Sequence, residues 1–412
     1  MESKTFATGT LTERPKHRRF NILAVAIGAL LVSIACGNAA APNAVTGSYT
    51  IGADGALSGS FGVDGTPPIN GIKAGIDSAN ANGGAGGHQI KLIVRDDGSD
   101  PTRAVANIRE FSTIGVSAMM GFTASAPSAG AAPLAGQLQI PMLATSLANT
   151  FLHPVQPYVY TSDADYAKYA AAQVNIVKQL AGTGNLPSSP RIAVFNFATP
   201  AGQAWHDAIV PVIKADGFQL VDQEATSPAS TDYGPQVARL AAAKPDAILD
   251  IINSTGITAL TNAMIAAGMP SATLIVGFPS TTSLAFMKAL PWKSFIAMST
   301  ANFPLNSNVQ VLKDARTEAA KLGADPNVLL YLVGYMQALM VVDALKRCGY
   351  PCSATQMQAA LDKTDLDTHG LSFGKLAFSS SNHAAVTTVG FLKVDSSGSA
   401  VTVGKPIDFA TI

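Results

Sequence analysis

The residues best placed to do chemistry lie in the stretch "IGADGALSGSFGVDG", from Ile51 to Gly65. A short apolar segment leads into a loop that is mostly Gly, Ser and Asp. Such a loop can cradle a phosphate, expose a serine nucleophile, or present hydroxyls and backbone amides to a small ligand. The stretch lacks P-loop and G-x-G-x-x-G spacing, and Ser58 and Ser60 stand outside a G-x-S-x-G elbow. The loop therefore favours binding of a small polar ligand over covalent catalysis.

Other reactive residue types form no catalytic or metal-binding pattern. The histidines are scattered and form no H-E-x-x-H motif, so neither a metal site nor an enzyme is predicted, and no cofactor is expected. Asp96, Asp97 and Asp100 in "RDDGSDP" could bind a cation. Their place at a strand end favours a structural role instead, with Asp100 capping the helix that follows.

The elements that position these residues alternate between strand-like and helix-like segments along most of the chain. Near-continuous apolar strands such as "RIAVFNF" and "TLIVGF" are typical of parallel sheets covered by helices on both faces. Two successive sets of these repeats predict an α/β protein with two doubly wound parallel-sheet lobes. The opening loop then lies at the carboxyl end of a parallel strand, where open α/β sheets bind ligands.

The start of the first helix is predicted from its apolar face and its prolines. "PPINGIKAGIDSANA" places Ile69, Ile72 and Ile76 on one helical face. Prolines suit the first turn of a helix, because their missing N–H has no intrahelical partner there. Thr66 is therefore predicted to be the N-cap.

Composition and charge exclude one class of partner. The chain has 412 residues, of which 48% are hydrophobic and 13% are charged, and its formal net charge is zero. This length suffices for one large or two medium domains. A balanced charge leaves no electrostatic footprint for nucleic acid, so no nucleic-acid partner is expected.

The N-terminus is typical of an export signal. A basic segment, residues 16–19, precedes the uncharged apolar run from Ile22 to Val32, which is short for a membrane span. Ala35-Cys36 resembles the lipobox of bacterial lipoproteins, although Ser33 replaces the usual leucine. We therefore predict a signal peptide over residues 1–35, lipidation of Cys36 and a tether over residues 36–47. Cleavage near "NAAAPNA" and an uncleaved anchor are the alternatives.

The two remaining cysteines, Cys348 and Cys352, lie in "RCGYPCS". An exported compartment permits disulfides, and a pair left over after lipidation is naturally one bridge. Half of a metal site is the alternative, but no further cysteine or clustered histidine accompanies the pair. A disulfide is therefore predicted.

A long ordered series of motifs resembles the type I solute-binding proteins of branched-chain amino-acid and amide ABC importers. The series runs from "LSG" through "NGIKAGIDSANANGGAGGHQIKLIVRDDGSDPTRAV" and continues in "IPMLATSLANT", "DYGPQVARLAAAKPDAIL", "MIAAGM" and "FGKLAFSSSNH". These motifs cover nearly the whole chain after the tether. The resemblance implies a clamshell of two lobes joined by a three-strand hinge, with the ligand bound between the lobes.

The resemblance also implies a domain layout and a set of ligand contacts. Lobe 1 should comprise residues 48–161 and 300–383, lobe 2 residues 162–299, and a C-terminal lobe 2 and hinge segment residues 384–412. We expect crossings near residues 160–163, 299–302 and 383–386. The expected ligand-binding residues are Ser58, Phe61, Asp64, Ser125, Ser146, Leu147, Ala148, Ala201, Asn253 and Phe278.

One departure from the family bears on the ligand. Amino-acid-binding relatives commonly place an acid after the strand equivalent to "TLIVGF", where it pairs with the ligand ammonium. Here "GFPS" follows, so either Asp64 or Asp250 takes that role, or the ligand carries no ammonium. The expected ligand is an amino acid, an amide or a small carboxylate.

The expected function is capture of this ligand by a lipid-anchored, extracytoplasmic protein, on the periplasmic or cell-surface side of the membrane, that delivers it to ABC permease subunits. The same clamshell also serves ligand sensing without transport, which is the alternative. A monomer is expected.

Overall fold

The structure, a computed structural model, describes residues 47–145, 147, 149–184, 186–302 and 308–412. These residues belong to one unit, Val45–Ile412. The predicted signal peptide, Cys36 and all of the tether except Gly47 lie outside the described residues. Two β-sheets, each flanked by helices, organise the unit.

The first sheet is parallel and has the strand order β2-β1-β3-β4-β5. Its strands are joined by helices, as the alternating sequence pattern predicts. The strands are β1 (Ser48–Gly55), β2 (Gln89–Asp96), β3 (Ala118–Gly121), β4 (Met142–Ala144) and β5 (Val159–Thr161). The helices are α1 (Gly62–Ala81), α2 (Pro101–Ile114) and α3 (Ser125–Leu138).

The second sheet has the order β14-β13-β10-β9-β8-β6-β7 and is parallel from β10 to β7. Its strands are β6 (Arg191–Phe197), β7 (Gln219–Thr226), β8 (Ala247–Ile251), β9 (Leu274–Gly277), β10 (Phe295–Ser299), β13 (Thr388–Val394) and β14 (Ala400–Asp408). Its helices are α4 (Tyr166–Leu180), α5 (Pro200–Ala215), α6 (Gly234–Ala243), α7 (Ser254–Ala266) and α8 (Leu284–Ala289).

The edge of the second sheet departs from the predicted parallel arrangement. β13 pairs antiparallel with β10 and with β14. The turn between β13 and β14 is short, with Asp395 N–H donating to Ser399 O, and a connection of this length joins only antiparallel strands. The two-lobe α/β prediction is confirmed, with this antiparallel edge added.

The chain between the second sheet and its C-terminal hairpin returns to the first sheet. It forms α9 (Gln310–Leu322), α10 (Leu329–Cys348), α11 (Ala354–Leu361), β11 (Asp365–Leu366) and β12 (Leu376–Ala377). α10 lies against α1 at very short distance: a Cβ on Gly71 would stand 1.9 Å from Tyr331 O, and one on Gly334 would stand 1.9 Å from Pro68 O. Length and composition alone would let α10 span a membrane, but most of the helix is buried in the core.

Three local predictions can be compared with the structure. Asp100 caps α2, accepting a hydrogen bond from Thr102 N–H at 2.7 Å, as predicted. Cys348 and Cys352 form the predicted disulfide.

The predicted N-cap of the first helix, Thr66, is wrong. α1 begins one turn earlier, at Gly62, and Thr66 Oγ1 donates to Gly62 O inside the helix. The turn ahead of the prolines is closed by the Gly65 N–H, which donates to Phe61 O at 2.7 Å and needs no N–H from a proline. This extra turn carries Asp64.

Candidate functional site

A cavity lies between the carboxyl ends of the strands of the two sheets. Its volume is about 120 Å³. On the same scale one water molecule occupies roughly 10–15 Å³, so an organic molecule of several heavy atoms fits. Most lining residues follow directly after strands, where parallel sheets place binding groups. The lining residues are Phe61, Asp64, Thr123, Ala124, Ser125, Thr145, Leu147, Asp163, Ala164, Tyr166, Tyr169, Phe197, Thr199, Ala201, Ile251, Ile252, Asn253, Phe278, Pro279, Ser280 and Leu330.

The structure brings most of the predicted ligand-binding residues together at this cavity. Those that line it are Phe61, Asp64, Ser125, Leu147, Ala201, Asn253 and Phe278. Ser146 and Ala148 lie outside the described residues. Ser58 is exposed and does not line the cavity, because its hydroxyl donates to Asp96 Oδ2 at 2.7 Å on the outer side of the loop.

Asp96 holds the loop between β1 and α1 in place through hydrogen bonds. Its Oδ1 accepts from the backbone amides of Leu57 and Ser58 at 3.0 and 3.2 Å. Ser99 Oγ then accepts from the Phe61 amide at 3.1 Å. The acids after β2 are therefore structural, as predicted, and they fix the place where Phe61 and the first turn of α1 reach the cavity.

The N-termini of α1, α3, α5 and α7 all border the cavity. Thr199 caps α5 and Asn253 caps α7 through their side chains. α3 begins at Ser125 after Ala124, whose side chain cannot accept a bond from the first-turn amides. Ser125, which is 9% exposed, therefore stands with uncapped amides at the positive end of a helix. Chemically, this end of the cavity suits a carboxylate.

Aromatic rings form the facing wall of the cavity. Phe278 packs edge-to-face on Tyr169 with ring centroids 5.1 Å apart, and Tyr166 lies 6.1 Å from the same ring. Phe61 and Phe197 also line the cavity. Edge-to-face and tilted pairs are the favoured geometries of aromatic side chains. This wall suits a flat or apolar body.

Two carboxyl groups line the cavity, and the described lining residues include no Lys, Arg or His. Asp163 is 7% exposed and accepts a hydrogen bond from Tyr169 Oη, and its burial raises its pKa to about 8. Burial also raises the pKa of Asp64, while the hydrogen bond from Asn253 lowers it. Asp250, named as an alternative ammonium partner, is fully buried and does not line the cavity. The cavity lining therefore favours the other two alternatives, that Asp64 takes this role or that the ligand carries no ammonium group.

The buried side-chain amide of Gln173 holds together the ends of β8 and β9, which precede Asn253 and Phe278. Gln173 of α4 donates to Asp250 O and Val276 O, both at 2.9 Å, and accepts from Trp205 Nε1 at 2.7 Å. These bonds tie the end of β8 to the end of β9, and Asn253 and Phe278 follow directly. The side chains across the cavity are therefore positioned by a network with no solvent contact.

Sequence reasoning missed the residues that follow β5, namely Asp163, Tyr166 and Tyr169. Two signals could have found them. Asp163 closes a segment that was predicted to cross between the lobes, and Tyr166 and Tyr169 are three residues apart at the start of the next helix. Side chains at that spacing share one helix face.

The sequence profile of the periplasmic binding protein family matches residues 48–399, most of the chain. The chain belongs to the periplasmic binding protein family. No curated protein sequence matches it. The family resemblance inferred from the sequence is thereby confirmed, and the family is one of binding proteins that act outside the cytoplasm.

Solved structures of low sequence identity share the fold. A fatty acid ABC transporter substrate-binding protein from Thermomonospora curvata is 21% identical, with a TM-score of 0.74 over 89% of this chain and 95% of its own. A Thermus thermophilus branched-chain amino acid ABC transporter protein with bound valine is 16% identical, with a TM-score of 0.77 over 89% and 98%. A Rhodopseudomonas palustris solute-binding protein in complex with 3,4-dihydroxybenzoic acid is 18% identical, with a TM-score of 0.74 over 88% and 97%.

Proposed function

We propose that this periplasmic binding protein captures a small organic carboxylate, with an apolar or aromatic body and no ammonium group, between its two lobes. The observation that carries this proposal is the uncapped N-terminus of α3 with Ser125, which faces an aromatic wall across the cavity. A carboxylate accepts hydrogen bonds from such amides and from the serine hydroxyl without a buried counter-charge.

The ligand contacts follow from this orientation. Ser125 and the amides at the start of α3 bind the carboxylate, with Leu147 beside them. Phe61 and Phe278 enclose the ligand body from opposite lobes, and Ala201 leaves room for it. Ser146 and Ala148 stay in the proposed set as backbone donors, and Ser58 leaves it because its hydroxyl is used by Asp96.

The clamshell mechanism requires hinge segments between the lobes. We propose the layout expected from the sequence, with residues 48–161 and 300–383 in one lobe and residues 162–299 and 384–412 in the other or in the hinge. Thr161 and Ala384 pair as parallel neighbours, and Ala301 pairs with Ser372. Rotation at these segments would open the cavity, and a ligand that contacts both lobes would favour the closed form.

An amino-acid ligand is the second candidate. Two carboxyls, Asp64 and Asp163, line the cavity, and either could pair with an ammonium group. The structural relatives include proteins described with bound valine and with a dihydroxybenzoic acid, so the fold accommodates both chemistries.

Delivery completes the proposed function. Several structural relatives are described as ABC transporter substrate-binding proteins, and we propose that this chain likewise hands its ligand to an ABC permease. We further propose export by residues 1–35 and lipidation at Cys36. Detergent phase partitioning of cell-expressed protein tests the anchor: the wild type should enter the detergent phase and Cys36→Ser should stay in the aqueous phase.

A ligand panel tests the binding proposal. Thermal unfolding of residues 37–412 is measured with aromatic and aliphatic carboxylates, branched-chain amino acids, amides and urea. A ligand at 100 times its dissociation constant stabilises the folded state by about 2.7 kcal/mol. We expect stabilisation by carboxylates, and Ser125→Ala should weaken it. Stabilisation by amino acids alone would replace the first candidate with the second.

A further inference from the structure

Two residues that sequence reasoning assigned to the ligand instead bind each other across the cavity. Asn253 Nδ2 donates to Asp64 Oδ2 at 2.8 Å. Asp64 lies in the first turn of α1, which packs with the first sheet, whereas Asn253 follows β8 of the second sheet. The two residues are 189 positions apart in sequence, so only the approach of the two sheets brings them together.

The orientation of the Asn253 amide is fixed by a second bond. Its Oδ1 accepts from the Gly256 N–H at 2.9 Å as the cap of α7. A backbone N–H is always a donor, so the oxygen must face α7 and the NH₂ group must face Asp64. Asn253 therefore presents a donor across the cavity at no further cost in side-chain freedom.

The bond lies away from the crossing segments. β5, which leads into the first crossing, is three strand positions from β1, and β10 is two positions from β8. Neighbouring strands are about 4.8 Å apart, so β1 lies roughly 14 Å from β5, and β8 lies about 10 Å from β10, which leads into the second crossing. When the lobes rotate apart, displacement grows with distance from the hinge, so a bond between groups this far from the crossings breaks early.

Backbone bonds also join the proposed lobes near the start of α10, where Leu329 N–H donates to Thr282 O at 2.9 Å and Leu284 N–H donates to Asn327 O at 3.3 Å. Two further contacts between the lobes lie close to the first crossing and report less on opening. Asn149 Oδ1 accepts from Tyr166 N–H at 2.9 Å, and His153 Nε2 lies 3.2 Å from Asp165 Oδ2. These partners are 17 and 12 residues apart and flank the same crossing segment. They can persist in an open form, whereas the bond between Asp64 and Asn253 cannot.

We propose that Asp64 and Asn253 form an interlobe latch, a hydrogen bond across the cavity that holds the two lobes together before any ligand enters. This inference rests on the proposed clamshell function and adds to it the control of the empty state. A latch raises the closed population of the ligand-free protein, so the ligand pays less to close the lobes and binds with higher apparent affinity. The same residues are then positioning residues for binding rather than specific ligand contacts.

Distances in the ligand-free protein test the latch. Spin labels on Thr113→Cys of α2 and Lys214→Cys of α5, two exposed sites outside the cavity, report the separation of the lobes by pulsed electron resonance. The variants are Asn253→Ser, Asp64→Ala and the double variant. Serine still caps α7 but is too short to reach Asp64. Ser353→Ala, which removes the cap of α11 away from the cavity, controls for any weakening of a helix cap.

We expect each single variant to raise the open-to-closed ratio on the order of tenfold, which is the effect of one lost hydrogen bond to a charged group. The double variant should equal either single variant, because both remove the same bond, and the control should match the wild type. Distance distributions that are unchanged in both single variants would overturn the latch. Additive shifts in the double variant would overturn it as well.

The same samples separate failure of the latch from failure of the proposed function. If the distances shift as expected but no panel solute stabilises the fold, the latch stands and the assigned ligand class fails. If a solute binds and closes the lobes while the variants leave the empty state unchanged, the binding function stands and the latch fails.

Discussion

Replacement of Asp163 by asparagine should remove a large part of the pH dependence of folding stability. The carboxyl is 7% exposed, and burial raises its pKa from 3.8 to about 8 in the folded protein, although the Ala164 amide opposes that rise. In the unfolded chain the group titrates near its ordinary pKa of about 3.9. The folded state therefore holds a proton that the unfolded state releases at neutral pH.

The direction in which stability changes with pH follows from this difference in pKa. A carboxyl with a raised folded pKa contributes its full stability below about pH 4, and that contribution is lost as the pH rises towards 8. Each pKa unit corresponds to about 1.4 kcal/mol, so the wild type should lose up to about 5 kcal/mol through this group. Asparagine keeps the shape and an acceptor for Tyr169 Oη but cannot ionise.

Denaturant unfolding from pH 4 to pH 8 measures the effect. The free energy of unfolding of Asp163→Asn minus that of the wild type should rise with pH by several kcal/mol. Asp207→Asn, which removes an exposed carboxylate with a 66% exposed side chain, is the control for loss of a surface carboxyl, and Asp163→Asn should show the larger pH dependence. A difference between Asp163→Asn and the wild type that does not change with pH would refute the reasoning from burial.

Three further changes test the packing that positions the site. Trp205→Phe should lower the free energy of unfolding by about 1–3 kcal/mol by denaturant titration, because Gln173 Oε1 loses its buried donor. Gly71→Ala should cost at least about 3 kcal/mol or prevent folding, since its Cβ would meet a carbonyl of α10 at 1.9 Å, and circular dichroism melts measure this. Replacing Cys348 and Cys352 by serine should cost about 2 kcal/mol, a modest loss for a sequence separation of four, and calorimetry measures it.

The fold was predictable because its signals are local and repeated. Apolar strands of four to eight residues between amphipathic helices predict parallel sheets without any knowledge of contacts. The start of α1 was predicted one turn late because prolines normally mark the first turn, whereas here Gly65 and Phe61 close a turn ahead of them. The antiparallel edge of the second sheet depends on a short turn after β13. The pattern of apolar strands alone does not tell an antiparallel strand from a parallel one.

Part of the site was predictable because several of its residues follow strand ends. Ser125, Asn253 and Phe278 each follow a strand, and the carboxyl ends of parallel strands meet at one edge. Asp163 was missed because its burial depends on packing at the cavity, although its place in a predicted crossing segment was a signal for it. Ser58 was included because it lies in the right loop, but Asp96 draws its hydroxyl to the outer side.

The charge of the ligand is linked to the proton on Asp163. Phe278 follows directly after β9, and its ring packs on Tyr169, which donates to Asp163. With its pKa raised to about 8, Asp163 is mainly protonated at pH 7 in the empty cavity. An ammonium ligand would ionise this group because a cation beside a carboxyl favours its charged form, and up to one proton would leave.

A carboxylate ligand has the opposite effect, because negative charge nearby keeps Asp163 protonated. Titration calorimetry at pH 7 in two buffers of different ionisation enthalpy separates the cases. A carboxylate without an ammonium should give the same enthalpy in both buffers, whereas an amino acid should give enthalpies that differ by up to one proton's ionisation. Proton release with a plain carboxylate would contradict the neutral state of Asp163, and with it the charge assigned to the ligand.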